Sequence, residues 1–184
     1  VSAGAKLSGH GIVGAISGAG LVAPGDPQIL TCSTVDPSSG LDFAFEFTQP
    51  GAPTYDNAAA SGNDLLHLTD AIPFAFALTA ANTITIDFSG ATLLEGQIYL
   101  GGFFSFVAIA NSLLDSATFA YTGLNGVGVQ YNGLVTQTNA DFAAGTVANG
   151  KVMQFTIIAV PEPGSVTLAL LGGLCLLLQR RRRK

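Results

Sequence analysis

The chain has 184 residues and a formal net charge of −5; only 10% of its residues are charged, against 48% hydrophobic. Twenty-three glycines, twelve phenylalanines and no tryptophan suit short strands and tight turns better than helices. All twelve carboxylates lie within residues 1–162, with only Lys6 and Lys151 against them, and a body without arginine lacks the forked donors that phosphates favour, which excludes nucleic acid as a partner.

Residues 1–40 are rich in Gly and Ala and nearly uncharged. Leu7-Ser8-Gly9-His10-Gly11-Ile12-Val13-Gly14 is followed by Ala15-Ile16-Ser17-Gly18-Ala19-Gly20-Leu21-Val22, two similar blocks with glycines at their corners. Each block is too small to bury its own core, so the pattern predicts successive turns of a stacked β-coil. The rival reading is a flexible Gly-rich linker. The regular apolar insertions Leu7, Ile12, Val13, Ile16, Leu21 and Val22 favour the coil.

From residue 41 to 159 the pattern predicts an all-β body. Leu41, Phe43, Phe45 and Phe47 alternate with polar or small residues, as do Ile84, Ile86 and Phe88, Val127, Val129 and Tyr131, and Met153, Phe155 and Ile157. Such a period of two marks half-buried strands. Shorter strands are expected at Leu65–Leu68, Gln97–Leu100, Phe103–Ala108 and Thr118–Tyr121, and one helix at Ile109–Ser116. Turn signals fall at Pro50-Gly51, Ser61-Gly62-Asn63, Ser89-Gly90, Asn125-Gly126, Asn132-Gly133 and Asn149-Gly150. This many short strands with regular turns suggests a sandwich, barrel or solenoid.

Residues with chemistry are scattered. His10 sits between glycines and His67 among leucines, and neither has a second ligand at zinc spacing. Cys32 and Cys175 form neither a disulfide framework nor a zinc site and read as small apolar fillers. No G-x-S-x-G elbow occurs. Asp42 and Glu46 share the polar face of one strand, but about 13 Å apart, too far for a glycosidase pair. Asp56-Asn57, Asn63-Asp64 and Asp70 could offer oxygen ligands to calcium, yet they match no calcium loop and also suit turns through local hydrogen bonds. The phenylalanines occupy core-facing alternate positions rather than a sugar-stacking platform. The expectation is a non-enzymatic chain with no cofactor and no metal.

Beyond Val160 the composition changes. Pro161, Glu162 and Pro163 precede the uncharged run Ser165–Leu178, which is followed by Arg180, Arg181, Arg182, Arg183 and Lys184. A helix over 165–178 spans roughly 21 Å, less than the usual hydrocarbon thickness, and the long cationic stems extend it by snorkelling. Positive charge after an apolar run marks the cytoplasmic side, so the five cations predict a membrane stop with the body exported.

This ordered combination in residues 160–184 resembles a PEP-CTERM sorting signal. The resemblance implies processing near Pro161-Glu162-Pro163 by an exosortase, in a Gram-negative bacterium that makes exopolysaccharide. It also implies anchoring in the inner membrane first, then delivery to the cell surface or extracellular matrix. The body resembles the C-terminal part of autotransporter-associated β-strand repeat proteins. The resemblance is carried by Leu7–Gly14 and by Val22-Ala23-Pro24-Gly25-Asp26, with Ser61–Leu68, Leu78–Ile84 and Gly101–Phe104 behind them. It implies right-handed β-helix-like coils over 1–40, leading into the β-rich body, with Val1 a cut point behind further repeats. The expected function is an exported structural protein of the surface or matrix, with the exosortase and the inner membrane as partners. The alternative is a β module that binds exopolysaccharide or other surface proteins.

Overall fold

The computed structural model describes residues 1–25, 29–51, 62–105, 109–137 and 150–160. The described residues are all-β. Its strands are β1 (Lys6–Gly9), β2 (Gly11–Ile12), β3 (Ile16–Ser17), β4 (Leu21–Pro24), β5 (Ile29–Cys32), β6 (Val35–Asp36), β7 (Asp42–Glu46), β8 (Leu65–Leu68), β9 (Thr83–Asp87), β10 (Ile98–Ser105), β11 (Thr118–Thr122), β12 (Val127–Gln137) and β13 (Gly150–Ala159).

The chain visits three sheets in rotation. A five-stranded sheet has the order β1-β4-β7-β9-β11 and is parallel throughout. A six-stranded sheet has the order β2-β5-β8-β10-β13-β12, parallel up to β10 and antiparallel beyond it. A small third sheet pairs β3 with β6, and Val35 bridges onward to Phe74. Register places like residues above one another. Leu7, Val22, Phe43, Ile84 and Phe119 form one column across the first sheet, and Leu30, Leu66 and Phe103 form one across the second.

These columns meet in one core. Phe103 receives the rings of Phe43 at 4.8 Å, Phe45 at 5.2 Å and Phe74 at 5.1 Å, all edge to face. Each such pair adds about 0.5–1.5 kcal/mol to area burial. Part of the six-stranded sheet is buried on its other face too, where Leu65, Leu100, Phe104 and Val152 cluster. Two-sided burial explains why Leu65-Leu66-His67-Leu68 shows no alternation.

Several expectations are refined. Leu7 pairs with Val22, the last residue of the second Gly-cornered block, so the two blocks together make one pass of the chain between paired strands rather than two. The strands expected at Gln97–Leu100 and Phe103–Ala108 merge into the one strand β10, Ile98–Ser105, with Gln97 in the turn before it; residues 106–108 lie outside the described residues. Its register against β13 shifts between Gly101 and Phe104. A Cβ on Gly101 would come 2.9 Å from the Phe47 ring, and Gly102 has φ +75°, so the Gly-Gly pair permits the bulge. The helix expected over Ile109–Ser116 is only a 3-10 turn, Asn111–Leu113. So short a segment cannot repay helix nucleation, and the Asn111 carboxamide instead accepts the Leu134 N–H at 2.8 Å. Asn125-Gly126 is a tight turn, with φ of 47° and 89° and a Val127 N–H to Leu124 C=O bond of 3.0 Å. It joins strands of different sheets rather than a hairpin. Asn132-Gly133 sits inside β12, at a second register shift.

Candidate functional site

On the outer face of the five-stranded sheet, β1, β4, β7 and β9 form the floor of a cleft of about 520 Å³. Alternation turns Val22 and Phe43 inward, which leaves Ser8, Ala23 and Ala44 outward, and these side chains are too small to fill the space above the strands. Lys6 and His10 line the cleft at its β1 side, and Glu46, Asp64 and Asp87 line it toward β7 and β9.

The three carboxylates are positioned by different devices. Glu46 and Asp87 are register partners on neighbouring strands, an arrangement that like charges oppose. Asp87 is compensated by donors: the Ser89 hydroxyl at 2.6 Å, the Ser89 N–H at 2.9 Å and the Thr122 hydroxyl at 2.8 Å. The Ser89 bonds, with help from Thr122, hold its carboxyl below the ordinary aspartate range. Asp87 is thus an ionised acceptor, not a reservoir of acid. Asp64 is buried; its Oδ2 accepts the Glu46 N–H at 2.8 Å, and its own N–H donates to the Glu46 carbonyl at 2.8 Å. It fastens β7 to the strand that follows. An acidic rim facing one lysine and one histidine over a small-residue floor can accept hydrogen bonds from hydroxyl-rich or cationic groups. Phe45 belongs to the cleft wall, but its ring packs inward on Phe43 and Phe103.

The sequence-predicted site residues fare differently. Pro161, Glu162, Pro163, Arg180, Arg181, Arg182, Arg183 and Lys184 lie outside the described residues, as do the run Ser165–Leu178, Cys175 and Asp56-Asn57. Among the described residues no helix is long and apolar enough to cross a membrane. The cleft takes in Glu46 but not Asp42, whose carboxylate accepts the Thr83 N–H at 2.7 Å. Among the described residues no three His, Cys, Asp or Glu side chains are grouped to hold a metal ion. Asn63 and Asn82 work as internal clamps, each with four hydrogen bonds to the chain around it. Cys32 is buried, and burial pushes its thiol up to about 12, so it is an inert filler. The cleft itself has no local signature, because its residues come from several passes of the chain that only strand pairing brings together.

His67 lies on β8 between its register partners Thr31 and Phe104, its ring 5.1 Å from that of Phe104. Burial lowers its affinity for a proton. The unfolded chain therefore binds a proton there more readily than the folded one. Stability from this group is fully present above the unfolded value near 6.5 and falls as pH drops below it. Urea denaturation at pH 8, 6 and 5 should show this loss, and His67→Phe should flatten the profile between pH 6.5 and 5. A slope unchanged by the substitution assigns the effect to other groups.

No family model, no curated protein and no solved structure matches the chain.

Proposed function

We propose that this chain is a non-enzymatic structural protein of the bacterial surface or extracellular matrix. It is exported with its C-terminal segment held in the inner membrane, then processed by an exosortase. The observation that carries this reading is the order of residues 160–184: Pro161-Glu162-Pro163, then an uncharged apolar run, then five cations. Each Arg or Lys costs roughly 2.5–3.5 kcal/mol at the bilayer centre, so the cluster halts translocation. Proline fixes φ, lacks an N–H and disfavours helix in the residue before it, so a Pro-Glu-Pro sequence suits recognition as an extended peptide in this reading.

The body in this proposal is a short β-solenoid closed at one end by antiparallel strands. Rotation of the chain through three sheets in parallel register supports it. A stack of coils offers long, regular outer faces and suits a scaffold. A second reading, a module that binds exopolysaccharide, draws on the cleft with its acidic rim.

Deleting residues 160–184 should release a folded body into the medium of a host that exports it. Replacing Pro161, Glu162 and Pro163 together by Ala should leave an uncleaved membrane-held precursor wherever an exosortase is present. A truncated chain that stays equally membrane-bound would refute the anchor, and unchanged cleavage of the triple variant would refute the recognition motif. Binding of the parent chain to a glycan array, abolished by Glu46→Ala, would shift the assignment to the second reading.

A further inference from the structure

We infer that one corner of the body, formed by Leu94, Ile98, Ile158 and Val160, rests in the headgroup layer of the bilayer. This inference depends on the reading above, in which residues 165–178 span the membrane.

The four side chains are 60%, 42%, 39% and 51% exposed, respectively; among the described residues the other large apolar side chains with comparable exposure are Ile12, Ile72 and Phe76, which lie on other passes of the chain. Strand pairing brings them together. The turn Leu94–Gln97 closes through the Gln97 N–H to the Leu94 carbonyl at 3.1 Å. That turn is tied to β13 by two bonds of 2.9 Å, Gly96 N–H to the Ile157 carbonyl and Ile157 N–H to the Gln97 carbonyl. Ile98 stands opposite Thr156, and so diagonal to Ile158 on the same outer face. Ile158 and Val160 both lean over Gly128 of β12, where an added Cβ would come within 2.9 Å of one and 3.3 Å of the other.

The bilayer is the occupant that position selects. The patch sits where β13 ends, and Val160 is five residues before the apolar run, at most about 17 Å of extended chain. The headgroup layer on each side is itself roughly 5–8 Å deep. A body tethered that closely must present the end of β13 to the membrane, and that end carries the apolar corner. Glu95, exposed in the turn, remains in headgroup water while its neighbours reach the acyl boundary, the usual depth of interfacial apolar groups.

The absence of tryptophan makes the test direct. The full chain is reconstituted in phosphatidylcholine vesicles as four single-Trp variants: Leu94→Trp and Ile98→Trp in the patch, Phe76→Trp on the third side of the stack, and Leu170→Trp in the apolar run. Phe76 is 58% exposed and serves as the solvent reference. Lipids brominated near the headgroup end of the acyl chain should remove roughly half of the Leu94→Trp and Ile98→Trp emission and shift it to the blue, as befits an interfacial depth. Phe76→Trp should be unaffected. Leu170→Trp should be quenched most by bromine deeper in the chain. Patch variants that behave like Phe76→Trp while Leu170→Trp is quenched overturn the inference and leave the membrane span standing. An unquenched Leu170→Trp refutes the span, and with quenched patch variants it would show lipid contact without it. A blue shift that grows with protein concentration and ignores brominated lipid overturns the inference in favour of a contact between copies.

Discussion

Phe45→Asp should leave the chain unfolded at room temperature. Phe45 is 1% exposed, stacked beside Phe43 and edge-on to Phe103, the ring on which the first and second sheets and the Phe74 segment converge. The substitution removes about 1.5–3 kcal/mol of apolar burial and two ring contacts of about 0.5–1.5 kcal/mol each. It then places a polar group where no partner exists, at a further 2–7 kcal/mol or so. The total approaches the whole stability of a typical domain, about 5–15 kcal/mol. Ala44→Ser, one residue away on the opposite face of β7, should change stability by less than about 0.5 kcal/mol. Far-UV circular dichroism and urea denaturation of both variants make the comparison. Cooperative unfolding of Phe45→Asp near the parent midpoint would show that this ring is not where the sheets are joined.

Asn63→Ala and Asn82→Ala should each cost about 3–5 kcal/mol, far more than a surface asparagine. The Asn63 carboxamide oxygen accepts the N–H groups of Thr48 at 2.9 Å and Gln49 at 3.1 Å, and its nitrogen donates to the carbonyls of Gln49 at 2.9 Å and Leu100 at 2.8 Å. Asn82 accepts the Thr79 N–H at 2.8 Å and donates at 3.0 Å to the carbonyls of Pro37 and Leu41. Both side chains are nearly inaccessible to water, so truncation strands several buried backbone groups at about 1–3 kcal/mol apiece, partly relieved by relaxation. Asp at either position should be no better than Ala. It keeps the acceptor and replaces the donor by an oxygen aimed at two carbonyls. Thermal melts of the four variants check this ordering. An Asp variant close to the parent in stability would mean that the donated bonds contribute little.

What was legible in the sequence was whatever is local. Period-two alternation arises from the pleat of a single strand, so β7, β9 and β13 could be read without knowing their neighbours. Asn125-Gly126 announced a turn with positive φ because few other pairs tolerate it. The order of Pro161-Glu162-Pro163, the apolar run and Arg180–Lys184 is likewise written in consecutive residues. The strands of the Gly-rich segment were harder to delimit. β2, β3 and β6 have two residues each, too few to display a period, and they owe their state to the pass of chain stacked beside them. Tertiary structure alone decided that Leu7 faces Val22, that the second sheet is buried on both faces around Leu65, Leu100, Phe104 and Val152, and that His10, Glu46, Asp64 and Asp87 share one cleft. Parallel pairing joins residues separated by whole passes of the chain, through backbone bonds that any side chain permits. Partner choice therefore leaves no mark at either residue and is settled only when the stacked columns fill one core.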